Sequence, residues 1–319
     1  MPIQVAVLDD YQGIARAIAP WETLEPDAEV TCFHDHLLID GVVRDLLEGF
    51  EVIVAMRERT PFTAKRLASL PDLRLLVTTG MANASIDMEA ARGLGITVCG
   101  TASLPSPTAE LTWGLIIALQ RNLLEEDLRI REGGWQRTIG PELAGRTLGI
   151  LGLGNVGRRV ARIAQAFEME VIAWSENLTP EAAGEAGAQA VGRDELFERA
   201  DVLTIHTRLS DRTRGLVGAR ELGLMKETAI LVNTSRGSIV DEDALLKALV
   251  KGTIAGAALD VYAKEPLPKD HPLREAPRTL LSPHLGYVSI GTYEVMYRDA
   301  VEDIAAWIRG EPVRVLNGA

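Results

Sequence analysis

The sequence predicts an α/β protein built from two doubly wound parallel-sheet domains. Short apolar runs alternate with stretches of helical periodicity along almost the whole chain. Midway, one apolar run breaks into glycines and restarts as an amphipathic helix. The length of 319 residues also suits two domains better than one small core.

In chain order, the first series reads as strand Val5–Leu8, helix Gln12–Ile18, strand Glu29–Phe33, helix Gly41–Leu47 and strand Val52–Met56. It continues with helix Ala64–Leu70, strand Leu73–Thr78, helix Ile86–Arg92 and strand Ile96–Val98. No glycine fingerprint occurs in it, so this half shares the architecture of the second but serves another ligand. The proline-rich break Leu104–Pro107 follows, and then Thr108–Leu124 reads as one long buried helix bridging two domains. Arg131–Trp135 is a glycine-rich segment with an exposed aromatic.

The glycines lie in Thr147-Leu148-Gly149-Ile150-Leu151-Gly152-Leu153-Gly154-Asn155-Val156-Gly157. Ile150 and Leu151 read as a strand buried on both faces, and Val156, Val160, Ile163, Ala164 and Phe167 share one helical stripe. Such a trio by itself also fits an ordinary strand-to-helix turn. With a strand before it, a helix after it and the strand Glu170–Trp174 beyond, it reads as a dinucleotide clamp. Gly152 would permit the tight turn, Gly154 the approach of a pyrophosphate and Gly157 the packing of helix on strand, with phosphates held at the helix N-terminus. Further strands follow at Val202–Ile205, Ala229–Val232, Ala257–Leu259 and Thr279–Leu281, each ending at a polar residue. A final helical pattern, Ser289–Arg309, returns to the first domain and makes it discontinuous.

Composition narrows the classes. Lysine and arginine number 33 against 45 acidic residues, a net charge of −12 that disfavours a nucleic-acid partner. No apolar run approaches a membrane span, and the N-terminus opens into a strand without a signal segment, so a cytoplasmic enzyme is expected. Cys32 and Cys99 have no metal-ligand spacing; no metal site is expected, and each reads as a buried reduced thiol.

Open parallel sheets bind ligands beyond the carboxyl ends of their strands, which directs attention to Arg236, Glu265 and His284. Taken singly, they read as an ion-pair residue, a solvated loop charge and a structural histidine. Together, beyond strands of the fingerprint sheet, they form a chemical set. Arginine offers a fork of donors for a carboxylate, and histidine exchanges protons near neutral pH. A carboxylate on the other ring nitrogen fixes the tautomer.

The runs Gly149–Gly157, Asn233-Thr234-Ser235-Arg236-Gly237, Leu259-Asp260-Val261 with Glu265-Pro266-Leu267, and Ser282-Pro283-His284-Leu285-Gly286 resemble the D-isomer-specific 2-hydroxyacid dehydrogenase family. The match runs in order over nearly the whole chain. The resemblance implies a flavodoxin-like substrate domain (1–101 plus 285–319), a Rossmann dinucleotide domain (102–284) and a cleft between them. It implies Arg236, Glu265 and His284 as catalytic residues. The cofactor contacts it implies are Gly152, Gly154, Asn155, Val156 and Gly157 at the pyrophosphate, Thr108 and Asp260 near the nicotinamide, and Thr207, Thr234 and Ser235 further along. The backbone of Met81 and Ala82, in the loop Gly80–Asn83, would hold the substrate carboxylate. Arg57 matches a position that often faces the substrate, and hints at an acidic or phosphorylated substituent, though it also reads as a surface cation. Trp135 falls in a segment that in the family often forms a dimer interface, so a homodimer is expected; His206 reads as structural.

The chain departs from the family at the end of the second fingerprint strand, where an aspartate normally holds the ribose. Ser175 stands there, followed by Glu176. Serine leaves room for a 2′-phosphate, but the turn supplies no cation and Glu176 would repel the phosphate, so NAD is favoured over NADP, with Glu176 or Ser175 holding the ribose. Tyr287 is a bulky residue for a pocket wall. The sequence stops at Ala319 without the regulatory domain of some phosphoglycerate dehydrogenases, and serine control is not expected. The function implied is hydride transfer between NAD(P) and a D-2-hydroxy acid/2-oxo acid pair. Two alternatives use the same fold: a corepressor-like dinucleotide-binding protein, against which the intact Arg–Glu–His set speaks, and a formate dehydrogenase, in which glutamine rather than Glu265 accompanies the histidine. Glyoxylate, hydroxypyruvate, 3-phosphoglycerate and bulkier acids are not separated at this level.

Overall fold

The computed structural model describes residues 1–36 and 40–318. The chain divides into two compact units, Met1–Leu104 with Ser289–Ala319, and Pro105–Val288. These divisions fall a few residues beyond the expected limits at 101 and 284. At the second, the Asp260 carboxylate keeps Leu285 and Gly286 hydrogen-bonded to their own unit. Ala319 lies outside the described residues.

The first unit contains β1 (Ile3–Val7), α1 (Ala15–Ile18), β2 (Ala28–Cys32), α2 (Asp40–Leu47), β3 (Val52–Ala55), α3 (Ala64–Ala68), β4 (Leu75–Thr78), α4 (Met88–Gly93) and β5 (Thr97–Gly100). Among the described residues its strands pair in parallel in the order β2-β1-β3-β4-β5. β3 and β4 are buried at every position, as expected where helices cover both faces of a sheet. The Thr63 and Asp87 side chains cap α3 and α4, accepting from Arg66 N and Ala90 N. The expected helix Gln12–Ile18 is shortened to α1. Gly13 turns at φ +64°, and the Asp10 carboxylate takes the N–H groups of Ile14 and Ala15. Cys99 is buried and Cys32 half-buried; burial raises both thiols, that of Cys99 to about 12.

The second unit contains α5 (Ser106–Gln120), α6 (Leu123–Arg131), β6 (Thr147–Leu151), α7 (Asn155–Ala166), β7 (Glu170–Trp174), α8 (Pro180–Glu185), β8 (Gln189–Ala190) and α9 (Arg193–Arg199). It continues with β9 (Val202–Ile205), α10 (Ala219–Leu224), β10 (Ile230–Asn233), α11 (Glu242–Lys251), β11 (Gly256–Leu259) and β12 (Thr279–Leu281). Its described strands are all parallel, in the order β12-β11-β10-β9-β6-β7-β8, so the polar residues that follow them share one edge of the sheet. Ile150, Leu203, Ile205 and Leu231 are fully buried in it, each stabilising the fold by about 1.5–3 kcal/mol.

The run Thr108–Leu124 is not one buried helix. α5 ends at Gln120, Asn122 takes φ +52°, and α6 restarts with Leu123, Leu124, Leu128 and Ile130 exposed. Asparagine is among the few residues that enter the left-handed region at low cost, so no glycine or proline marks the break.

The chain re-enters the first unit through α12 (Ile290–Ile308), capped by the Ser289 hydroxyl. The tail beyond it lies antiparallel along β5: Gly100 N donates to Arg314 O, Leu316 N to Val98 O, and Val98 N to Asn317 Oδ1. Arg314 Nε donates to Asp303 at 2.9 Å. Asp303 is fully buried, and burial pushes its carboxyl up to about 7 despite the guanidinium. Among the described residues no helix is long and apolar enough to cross a membrane.

Candidate active site

In the second unit the glycine turn leaves β6 at Gly152, whose φ is +102°. A Cβ there would stand 2.6 Å from Thr207 N, and one at Gly157 would collide with Gly152 O, so side chains are excluded at both positions. Gly154 differs: an added Cβ would meet nothing within 4 Å. α7 begins just after it, with no side chain capping its N-terminus. An uncapped helix start behind an open glycine fits a dinucleotide pyrophosphate, with Asn155 and Val156 supplying the first helical N–H groups. The Ser175 hydroxyl accepts from Leu153 N at 3.1 Å and ties the end of β7 to the turn. Glu176 follows, exposed.

The next strand ends are also joined. After β9, His206 is half-buried, and burial lowers it to about 4, which keeps the ring neutral. Thr207 O accepts from the Ser235 hydroxyl. At the end of β10, buried Asn233 accepts from Ser235 N through Oδ1 and donates to Arg236 O through Nδ2, both at 3.0 Å. This amide folds the turn that presents Arg236, whose Nη1 donates to Ser235 O at 2.8 Å. The Thr234 and Thr112 hydroxyls meet at 2.9 Å, and Thr112 donates to Thr108 O. The Thr108 hydroxyl in turn donates to Gly286 O at 2.8 Å.

Beyond β11 and β12 the arrangement is tighter. Glu265 Oε2 lies 2.6 Å from His284 Nδ1, and its Oε1 accepts from Tyr262 N at 2.9 Å. With the carboxylate ionised, the imidazole proton sits on Nδ1 and Nε2 is the nitrogen left for exchange. His284 has φ +54°, a left-handed conformation that costs energy for a residue with a side chain. Asp260 sustains it. Its backbone O accepts from His284 N at 2.8 Å, and its fully buried carboxylate accepts from the Ser282 hydroxyl at 2.6 Å, Leu285 N at 2.7 Å and Gly286 N at 2.8 Å. Burial nevertheless raises this carboxyl, outweighing the donors and His284. The Tyr287 ring stands edge-on to His284, with centroids 5.3 Å apart.

In the first unit, Arg57 follows β3 at φ +52°, with its N bonded to the Thr79 hydroxyl at 2.9 Å and Nη1 reaching Thr79 O at 3.3 Å. Its guanidinium lies over Gly80, where a Cβ would collide with it. Met81 and Ala82 are exposed at the tip of this loop. Buried Asn83 secures the base, donating to Arg57 O at 2.6 Å and to Thr78 Oγ1 at 2.8 Å.

Sequence reasoning placed Asp260 as a cofactor contact and missed its support of the His284 turn. It also missed Asn233 and Asn83 as turn-building amides. The signal was present at Asn233, which opens the Asn-Thr-Ser-Arg-Gly run; at Asn83 only the loop itself was noted.

A doubly wound sheet with an open, glycine-lined helix start and a carboxylate–imidazole pair on the same edge defines a nicotinamide-dinucleotide oxidoreductase. Residues 113–286 match the family model for the D-isomer-specific 2-hydroxyacid dehydrogenase NAD-binding domain. The chain is 43% identical to a glyoxylate reductase of Aeropyrum pernix, over 98% of this chain and 89% of that one. It is 36% identical to a glyoxylate reductase of Thermococcus litoralis, over 98% and 90% of the two chains. It also superposes on the crystal structure of a phosphoglycerate oxidoreductase from Vibrio cholerae with a TM-score of 0.92 and 38% identity, covering 97% of this chain and 99% of that one. The chain belongs to the D-isomer-specific 2-hydroxyacid dehydrogenase family. It is an NAD(P)-dependent oxidoreductase acting on a CH–OH donor.

Proposed function

We propose that this enzyme reduces a small 2-oxo acid, glyoxylate or a close relative, to the hydroxy acid with NADH. The observation that carries the reading is the Glu265–His284 contact of 2.6 Å on the strand-end edge that also holds the glycine turn. A bound nicotinamide would supply or accept a hydride. In reduction His284 Nε2 gives a proton to the 2-oxo oxygen, and in oxidation it takes the proton from the hydroxyl. Glu265 orients the ring through its contact with Nδ1. Arg236 clamps the carboxylate and polarises the C2 oxygen. In the first unit, the Met81 and Ala82 N–H groups and the Arg57 guanidinium are the proposed substrate contacts, which makes that unit the substrate domain. Their support is the family resemblance and the secured loop over which Arg57 lies.

NAD is the preferred cofactor in this reading. The Ser175 hydroxyl is engaged by Leu153 N, and Glu176 disfavours a phosphate beside it. Initial rates with glyoxylate, hydroxypyruvate, pyruvate and phosphohydroxypyruvate, each with NADH and with NADPH, test the proposal. The expected result is highest kcat/KM for a small unphosphorylated acid with NADH. Preference for the phosphorylated acid, or for NADPH, overturns that part of it.

A cytoplasmic homodimer completes the reading. Trp135 is 71% exposed and Ile139 97% exposed, alongside the four exposed apolar residues of α6. Their backbone is nonetheless ordered: Glu126 accepts from Arg137 N, Thr138 N and the Thr138 hydroxyl, which lowers its carboxyl, and Arg129 Nε donates to Trp135 O. An ordered arm with outward apolar side chains suits a second copy of this chain. Light scattering is expected to give twice the 34.6 kDa chain mass, and Leu128→Glu with Trp135→Glu is expected to give the monomer. A monomeric native chain refutes the assignment.

A further inference from the structure

The segment carrying Glu265 is exposed from Ala263 to Pro266, yet Glu265 has to remain within 2.6 Å of His284. Exposed loops hold such distances only when another element fixes them. Part of the hold is internal. The Tyr262 hydroxyl lies within hydrogen-bond reach of Leu259 O and Ser282 O, and the Arg274 guanidinium donates to Leu267 O and Pro268 O. Close packing of Gly237 against the Tyr262 backbone adds to it.

A further hold from outside the loop is Glu242, in the first turn of α11. Its Oε1 accepts from Ala263 N at 2.8 Å, two residues before Glu265. Its Oε2 lies 3.6 Å from His271 Nε2, beyond Glu265. His271 Nδ1 accepts from Leu273 N at 3.3 Å, which leaves the ring proton on Nε2, facing Glu242. One carboxylate thus bonds the loop just before the residue that meets His284 and lies close beside it further along, at His271. Its side chain is 18% exposed, so the contacts are partly shielded from water.

We propose that Glu242 is a positioning residue of the reaction, clamping the stretch from Ala263 to His271 so that Glu265 stays bonded to His284. It touches neither substrate nor cofactor and acts through Glu265; the proposal therefore rests on the Glu265–His284 assignment above.

The test is a set of variants in the full enzyme, followed by the pH dependence of kcat/KM for 2-oxo acid reduction. In this direction His284 must carry a proton to give, so the profile reports on how the ring is held against Glu265. Glu242→Ala is expected to lower kcat about tenfold, to move the alkaline limb of the profile toward acid, and to leave NADH affinity, read by fluorescence quenching, and the KM of the oxo acid within about twofold. Glu242→Gln keeps an oxygen for Ala263 N and restores both kcat and the limb. In a Glu265→Ala background, Glu242→Ala is expected to add nothing. A full additional loss there, or an unmoved limb in Glu242→Ala, overturns the proposal while the His–Glu assignment stands. An unmoved limb in Glu265→Ala itself overturns that assignment and this proposal with it.

Discussion

Replacing His284 by alanine is expected to lower kcat by on the order of 10²–10⁴-fold, the usual contribution of a general acid–base group. The turn itself should tolerate the change. His284 N still donates to Asp260 O, Leu285 and Gly286 remain bound by the Asp260 carboxylate, and none of the glycine-turn contacts involves the imidazole. NADH binding, measured by fluorescence quenching, is therefore expected to persist. A variant with kcat within a few-fold of the parent would remove His284 from proton transfer. Loss of cofactor binding in parallel would point to a structural role.

Asp260→Asn carries the second large effect. The buried carboxylate has only acceptor oxygens to offer, and it meets three donors, Ser282 Oγ, Leu285 N and Gly286 N. An amide presents an N–H₂ to at least one of them, placing donor against donor, and the left-handed His284 turn should shift. A displacement of about 1 Å at a reacting group can cost about 10²-fold in rate, and each buried donor left unmatched costs about 1–3 kcal/mol in stability. The variant is expected to lose turnover on that scale and to melt earlier. Parental kcat with an unchanged melting temperature would show that the turn is held by something else.

Much of the fold is written in local pattern. Buried parallel strands read as unbroken apolar runs, and the glycines at 152 and 157 are required by close backbone approaches, so both features survive without any tertiary knowledge. The candidate side chains Arg236, Glu265 and His284 stood out for a topological reason, since parallel strands bring their following residues to one edge. What stayed hidden depends on partners distant in sequence. Glu242 reaches Ala263 across an intervening helix and strand, and nothing in the first turn of α11 distinguishes it from an ordinary acidic residue complementing the helix dipole. The break at Asn122 was hard to see because leucines resume directly after the short polar stretch Gln120-Arg121-Asn122, and exposed leucines look like buried ones in a sequence. Ser175 was noticed as a departure, but its bond to Leu153 N belongs to a turn whose geometry only coordinates reveal.

The tail beside β5 has a consequence for how the molecule comes into being. Val98 is held by Asn317, and Gly100 by Arg314, across more than two hundred intervening residues. During synthesis the second unit, contiguous in sequence, emerges complete while the β5 edge of the first still waits for these partners. Ribosome-bound chains should therefore pass through a stage with one finished half and one open-edged half, and chaperone dependence should concentrate in that interval.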